Sequence, residues 1–127
     1  MKLLLDTHIF VWVLTDAPML KPSTRRLLES AEVRYVSAVS YWEIAIKVRN
    51  GKWPEASECL LSRSTLLDAG FTPLSMDMIA AARAGALAWE HRDPFDRMLV
   101  AQALRKRCPL VSYDRAITEQ RLAATVR

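Results

Sequence analysis

The sequence has few residues that hold soft metals or form covalent cross-links. It contains only two cysteines and two histidines in 127 residues. Cys59 and Cys108 are far apart, and neither belongs to a CxxC pair. A disulfide framework and a zinc site are therefore not expected. Any metal that the protein binds should be held by oxygen ligands.

Long apolar runs are also missing. No run approaches the roughly 20 residues that a membrane-spanning helix needs. The apolar start, residues 2–5, stops at Asp6, far short of a secretory signal. We therefore expect no membrane association and a cytoplasmic location.

The composition is that of one globular domain spanning residues 1–127. Hydrophobic residues make up 51% of the chain and charged residues 25%, and this length buries one core but not two. The formal net charge is +4. This mildly basic balance permits a polyanionic partner such as a nucleic acid without indicating one.

Apolar segments with strand character alternate with segments of helical periodicity. The predicted strands are 2–5, 33–37, 71–74 and 109–113, and an edge strand at 124–126 is compatible with the pattern. The predicted helices are 9–14, 22–29, 40–49, one within 54–67, 78–89 and 94–107. This alternation predicts an α/β fold with a parallel sheet.

The stretch HRDPFDR, residues 91–97, begins the last long helix. Asp93 is a good N-cap and Pro94 suits the first helical position. Helical spacing places Asp96 on the core side of the helix and Arg97 on a more polar face. An acid in a first turn also complements the helix dipole, so Asp96 alone does not indicate a site.

Four acids should meet at one edge of the sheet. Asp6 and Asp114 follow predicted strands directly, and Glu43 and Asp96 lie in the first turns of predicted helices. The carboxyl ends of parallel strands and the helix starts that follow them share one edge. Their convergence predicts a bound cation, because like charges that gather there raise one another's pKa values. Oxygen ligands of this kind favour Mg²⁺ or Mn²⁺.

Each acid also has a structural explanation on its own. Ser40 and Glu43 could form a capping box, Asp114 could cap a helical turn, and Asp6 could simply end a strand. None of these explanations accounts for four acids at one edge.

Four motifs resemble those of the PIN-domain ribonucleases, and most of all the VapC-type toxins: LLLDTH at 3–8, WEIAIK at 42–47, HRDPFDR at 91–97 and SYD at 112–114. The resemblance implies a parallel sheet of four or five strands flanked by helices. It also implies an Mg²⁺- or Mn²⁺-dependent endoribonuclease that dimerises, pairs with a small VapB-like antitoxin and leaves 5′-phosphate and 3′-hydroxyl ends. By position, the metal-binding and catalytic acids would be Asp6, Glu43, Asp96 and Asp114.

The chemistry of such a site suggests individual roles. We expect Asp6 and Asp96 to bind the metal directly. Glu43 would bind it through a water molecule or act as a base that aligns the attacking water, and Asp114 would support the bound ligands from outside or bind a second metal. Asp93 already has a sufficient role as a helix cap. The supporting residues would be the hydroxyl groups of Thr7 and Ser112, which could hydrogen-bond the carboxylates, and the cations Lys47, Arg49, Arg92 and Arg97, which could hold the RNA backbone or simply be exposed charges.

Aromatic and apolar side chains predict protein interfaces. The segments 9–14 and 42–48 are more apolar than one small core requires, which predicts a homodimer. Because no basic repeat is interleaved with the aromatics, we expect them to contact a second copy or the antitoxin rather than to stack on bases; they are Phe10, Trp12, Trp42 and Trp53.

Two other functions are compatible with acids at strand ends: phosphoryl transfer, by an aspartate-dependent phosphatase or a receiver domain, and binding without catalysis. An aspartate-dependent phosphatase needs a second aspartate two residues after the first, where this chain has His8. A receiver domain needs an acidic pair before its first strand-end aspartate. A non-catalytic binding module could keep the same fold. Cleavage of RNA, compared with phosphorylation by a phosphoaspartate-forming donor, would distinguish these functions.

Overall fold

The protein is described here by a computed structural model that covers all 127 residues. Its centre is a five-stranded sheet in the order β3-β2-β1-β4-β5, and every pairing is parallel. The strands are β1 Lys2–Leu5, β2 Val33–Ser37, β3 Thr72–Leu74, β4 Leu110–Val111 and β5 Thr125–Val126. The predicted α/β fold with a parallel sheet is confirmed, and the sheet has five strands.

Seven α-helices and one 3-10 helix flank the sheet. The α-helices are α1 Thr7–Leu14, α2 Pro22–Ser30, α3 Ala38–Arg49, α4 Arg63–Asp68, α5 Met78–Ala86, α6 Pro94–Lys106 and α7 Arg115–Glu119, and the 3-10 helix is Pro54–Cys59. None of them combines the length and apolarity needed to cross a bilayer.

The central strand β1 is buried on both faces. Leu3 and Leu5 lie in one core together with Phe10 of α1 and Ile44 of α3. Leu4 lies in the other core, against α6. Side chains alternate across a strand, so a continuous apolar run fits only a strand covered on both sides. The carboxyl end of β1, where Asp6 follows, is thereby fixed in the middle of the molecule.

Helix α3 begins two residues earlier than predicted. Ser37 is its N-cap and accepts a hydrogen bond from the Val39 N–H at 3.0 Å. The predicted capping box is therefore wrong: Ser40 accepts a hydrogen bond from the Thr7 hydroxyl at 2.9 Å. Glu43 consequently lies in the second turn of α3, not the first.

Other boundaries also differ from the sequence prediction. The single helix predicted within 54–67 is replaced by the 3-10 helix and α4, because Ser62 caps a new helix at Arg63. The strand predicted at 109–113 has only two residues, Leu110–Val111. Helix α5 ends at Ala86 and not at 89, since Arg97 binds the carbonyls of Ala84 and Gly85.

Candidate active site

Asp6 lies at the centre of the acidic edge. One carboxylate oxygen accepts a hydrogen bond from the Ile9 N–H at 2.8 Å, which caps α1, and the other accepts one from the Ser112 hydroxyl. The side chain is buried. The pKa of Asp6 is raised to about 6, chiefly by burial and to a smaller extent by the charges of Asp96 and Asp114, whereas the hydrogen bonds from Ile9 and Ser112 oppose the shift.

Ser112 connects the two acids that follow strands. Its hydroxyl donates to Asp6 and accepts from the Asp114 N–H at 3.0 Å. Asp114 is exposed and caps α7 by accepting from the Ala116 N–H at 2.8 Å. The predicted support of a carboxylate by Ser112 is thus present in the structure.

The other side of the site is the start of α6. Asp93 caps this helix, accepting from the N–H groups of Phe95 at 2.9 Å and Asp96 at 3.2 Å. The Nε2 atom of His91 lies 2.7 Å from a carboxylate oxygen of Asp96. Ligand atoms of His91, Asp93 and Asp96 all lie within 4.8 Å of one another. These residues form a compact group at the first turn of the helix.

The pKa of Asp96 is also raised to about 6. Burial is the largest cause, and the charges of Asp93 and Asp114 add to it, whereas the hydrogen bond with His91 opposes the shift. Asp114 thus acts on both Asp6 and Asp96. The charges of Asp6, Asp96 and Asp114 therefore act on one another, whereas the one group of three potential ligands within 4.8 Å of one another is His91, Asp93 and Asp96.

Glu43 is buried and forms an ion pair with Lys47, with 2.9 Å between Oε2 and Nζ. Burial lowers the pKa of His8, and the charges of Glu43 and Asp114 oppose that shift. Lys47 is therefore already paired, whereas Arg49 and Arg92 are exposed.

Thr7 donates its hydroxyl proton to Ser40, so its predicted bond to a carboxylate is replaced by a contact between α1 and α3.

Arg97 has a different role from the predicted RNA contact. All five of its N–H donors are directed at backbone carbonyls. Two carbonyls lie at the end of α5, Ala84 at 2.9 Å and Gly85 at 3.2 Å, and three lie in the segment that joins α5 to α6, Leu87 at 2.9 Å, Trp89, and His91 at 2.9 Å. A guanidinium with every donor occupied has none left for a phosphate. Arg97 instead holds in place the segment that carries His91.

Two residues near the acids were not among the predicted site residues. His91 precedes α6 in an irregular segment, where no periodicity indicates that it contacts Asp96. Tyr113 lies between Ser112 and Asp114 and lines an open depression at the acids together with Asp6, His8 and Trp12. Its position in the motif SYD was the only available signal.

The apolar surfaces differ from the prediction. Ile9, Phe10 and Val11 are buried in the core, so half of segment 9–14 is unavailable to a partner. In segment 42–48, Trp42 is 52% exposed and packs edge-on against Phe95.

The donor set fits a divalent cation that prefers oxygen. Asp96, Asp114 and Glu43 each have one carboxylate oxygen without a hydrogen bond in the chain. Burial, the largest cause of the raised pKa values of Asp6 and Asp96, disfavours their charged forms, which a bound cation would stabilise. Mg²⁺ and Mn²⁺ suit such ligands.

Comparisons with known proteins agree with this arrangement. The model of the PIN domain family matches residues 3–121. No curated protein matches the chain.

Similar folds occur in three solved structures. A toxin-antitoxin complex from Klebsiella pneumoniae has a TM-score of 0.64 at 16% identity, covering 98% of this chain and 97% of that one. VapBC2 from Rickettsia felis, bound to a DNA fragment from their promoter, has a TM-score of 0.70 at 15% identity, covering 99% of this chain and 98% of that one. FitAcB from Neisseria gonorrhoeae has a TM-score of 0.65 at 21% identity, covering 98% of this chain and 96% of that one.

At these identities the structures demonstrate a shared fold, and the family model covers nearly the whole chain. Members of that family are nucleases. The chain belongs to the PIN domain family.

Proposed function

We propose that this protein is a metal-dependent endoribonuclease and the toxin of a type II toxin-antitoxin pair. The observation that carries the proposal is the convergence of Asp6, Asp96 and Asp114 at the carboxyl edge of a parallel sheet, with the pKa of the first two raised to about 6. An acidic group of this kind costs stability unless a cation neutralises it.

Asp6 and Asp96 would hold Mg²⁺ or Mn²⁺, and Asp114 would add a further oxygen. When bound, the cation activates water by Lewis acidity and neutralises charge that develops on the phosphate. Asp6 is held in place by Ile9 and Ser112, and Asp96 by His91. These contacts fix the position at which a phosphodiester would be aligned.

Glu43 is suited to take the proton of the attacking water. Its Oε2 is bound to Lys47 and its Oε1 is free. The water oxygen bonds to phosphorus, the bond from phosphorus to the 3′ oxygen breaks, and that oxygen takes up a proton. The products carry a 5′-phosphate and a 3′-hydroxyl. The exposed Arg49 and Arg92 are the cations best placed to contact the RNA backbone.

The partners are inferred from the similar folds. Two of the similar structures are a toxin-antitoxin complex and VapBC2, and we infer a small VapB-like antitoxin for this chain as well. A partner that inserts an arginine between the carboxylates would inhibit the enzyme by competing with the metal. The exposed Trp42 and Ile46 are candidates for a homodimer contact.

The nuclease activity can be tested directly. Wild-type protein and Asp96→Asn are incubated with end-labelled single-stranded RNA in Mg²⁺, Mn²⁺ or EDTA, and the product ends are identified. We expect metal-dependent cleavage by the wild type only. A parallel incubation with acetyl phosphate tests the phosphoaspartate alternative. Phosphorylation of the protein without RNA cleavage would contradict the proposal.

The partner can be tested through the product of an adjacent small gene. We expect it to form a complex with the protein and to inhibit cleavage. Replacement of its inserted arginine by alanine should restore cleavage at high Mn²⁺ in a complex that still forms. Continued full inhibition at saturating metal would contradict the competition between arginine and metal.

A further inference from the structure

Four aromatic side chains form a continuous row beside the acids. His8 packs on Trp53 with ring centroids 4.7 Å apart and on Trp12 at 5.6 Å. Trp12 packs on Tyr113, also at 5.6 Å. We call His8, Trp12 and Tyr113, with Trp53 beneath His8, the aromatic ledge.

The three outer rings of the ledge come from the two chain segments that carry Asp6 and Asp114, and Trp53 comes from a third segment. His8 lies two residues after Asp6, and Tyr113 lies directly before Asp114. Asp6 and Asp114 line one open depression together with the three outer rings of the ledge. A group that rests on the ledge is therefore next to the site at which a phosphate would bind.

The rings of the ledge are accessible, unlike the aromatic ring that serves the core. Phe10, also in α1, is fully buried, whereas His8 is exposed and Trp12 and Tyr113 are half-buried. Core packing alone would not require three neighbouring rings to share the opening of an acidic depression. This arrangement favours a surface that binds a base, in contrast to the expectation from the sequence that Trp12 and Trp53 contact a protein partner.

The ledge is fixed in position, with the exposed cation Lys21 at one end and the ion pair of Lys47 with Glu43 at the other. The Tyr113 hydroxyl accepts a hydrogen bond from the Lys21 N–H at 3.0 Å and lies 2.6 Å from the Thr24 hydroxyl. The Lys21 ammonium lies 5.1 Å from the centre of the Tyr113 ring. At the other end, the Lys47 ammonium lies 5.5 Å from the centre of the Trp53 ring. Preorganised rings lose little entropy when a ligand binds.

We propose that the aromatic ledge stacks a nucleobase of single-stranded RNA next to the phosphate that the acids cleave. Aromatic rings flanked by cations are the combination that binds single-stranded nucleic acid, because the rings stack on bases while the cations attract the backbone. This inference rests on the proposed function, which it extends from phosphodiester chemistry to base recognition.

The experiment measures RNA binding by a protein variant that is expected not to cleave the RNA. In the Asp96→Asn background, fluorescence anisotropy reports binding of a short labelled single-stranded RNA and of matched RNAs with one abasic ribose at each position in turn. We expect loss of one particular base to weaken binding about 5- to 150-fold. His8→Ala and Trp12→Leu should weaken binding of the intact RNA similarly and remove the penalty for that abasic position.

Met78→Ala is the matched control. Met78 is 87% exposed and apolar, like a ledge residue, but it begins α5 beside Asp77, which pairs with Arg105 near the end of α6. Nine residues of helix, about 13 Å, separate Arg105 from Asp96. We expect no change in RNA binding. Circular dichroism and thermal melting check that His8→Ala and Trp12→Leu remain folded, and His8→Ala is the milder change because the ring is exposed.

The outcomes separate the two proposals. A flat abasic profile with normal RNA binding by both ledge variants would overturn the ledge while leaving cleavage by the wild type intact. Normal RNA binding combined with a change from dimer to monomer in light scattering would assign the ledge to contacts between copies, and would also overturn the inference. Absence of both cleavage and binding in the wild type would overturn the proposed function and the ledge with it.

Discussion

The acidic site has two halves that are supported in different ways. In the strand-borne half, Asp6 follows β1 directly, Asp114 lies three residues after the end of β4, and the buried Ser112 joins the two acids. In the helix-borne half, Asp96 depends on His91, which lies in the irregular connection between α5 and α6. Burial nevertheless raises the pKa of Asp6 and Asp96 alike, to about 6.

The difference shows where the precision of such a site comes from. Two paired strands set the strand-borne half through their backbones. The helix-borne half has no strand to fix it, and instead one side chain, Arg97, binds three carbonyls of the connection and two at the end of α5. A planar guanidinium can replace the hydrogen bonds that a regular element would provide. Arg97 is a positioning residue that acts through His91.

Removing one carboxylate charge from either half of the site should have the largest effect, which is on the rate of RNA cleavage. Asp6→Asn and Asp96→Asn keep the shape of the side chain and its helix contacts but lose the charge that holds the metal. Loss of several kcal/mol of electrostatic stabilisation corresponds to about a thousand-fold lower cleavage rate or more. Rates are measured on labelled RNA in Mn²⁺, with circular dichroism as the check on folding. Wild-type rates in either variant would show that this acid does not serve the chemistry.

The sequence predicted the strand-borne half better than the helix-borne half, for a physical reason. An apolar run that ends in an acid indicates a buried strand with its acid at the sheet edge, so the placement of Asp6 needed no tertiary information. The contact between His91 and Asp96 depends on a segment without periodicity, whose path Arg97 determines. Because the sequence gives no signal for the path of this segment, it predicts neither the contacts of Arg97 with the backbone nor the end of α5, which lies three residues before the predicted one.

Arg97→Ala should destabilise the protein strongly, whereas Arg92→Ala should not. Loss of the guanidinium leaves five carbonyls without their donor, and breaking such a network costs about 2 to 4 kcal/mol of unfolding free energy. Arg92 belongs to the same motif but is exposed, and its removal should change stability by less than about 0.5 kcal/mol. Urea unfolding measures both.

Arg97→Lys sharpens that comparison. Lysine keeps the charge but has three donors on one nitrogen, so it should recover only part of the lost stability. Equal unfolding midpoints for Arg97→Ala and Arg92→Ala would show that the carbonyl contacts contribute nothing.

Without metal, stability should fall as the pH rises through the acidic range. The ordinary aspartate pKa of 3.8 applies to the unfolded chain, and both Asp6 and Asp96 have a folded value of about 6. Between these values the folded state binds more protons, so the free energy of unfolding decreases from about pH 4 to pH 6. Each group acting alone would account for about 3 kcal/mol. Urea unfolding in EDTA at a series of pH values measures the slope.

The Asn variants test the origin of that slope. Asp6→Asn and Asp96→Asn should each reduce it and should be more stable than the wild type at neutral pH in EDTA, because one like charge is gone. Saturating Mn²⁺ should reverse the order, since only the wild type gains the binding energy of the metal. A stability that rises with pH in EDTA would contradict the assigned pKa shifts.

The smallest effects should come from replacing the two residues that support the acids, His91 and Ser112, and the two effects should differ in kind. His91→Ala removes the group that orients Asp96, so we expect Mn²⁺ affinity to fall about 10- to 100-fold, as for other residues that orient metal ligands. Stability should change little because His91 is only half-buried. Ser112→Ala removes a buried hydrogen bond from Asp6 and an acceptor from the Asp114 N–H, and this should cost about 1 to 3 kcal/mol of stability.

Metal affinity should respond less to Ser112→Ala than to His91→Ala. Asp6 keeps the Ile9 N–H as a second partner and keeps its place at the end of β1, whereas Asp96 has no second side-chain partner. Titration calorimetry with Mn²⁺ measures the affinities, and His91→Gln, which retains an N–H donor, should recover part of the loss. If both variants lose Mn²⁺ affinity equally, strand and loop position their acids equally well, and the distinction between the two halves fails.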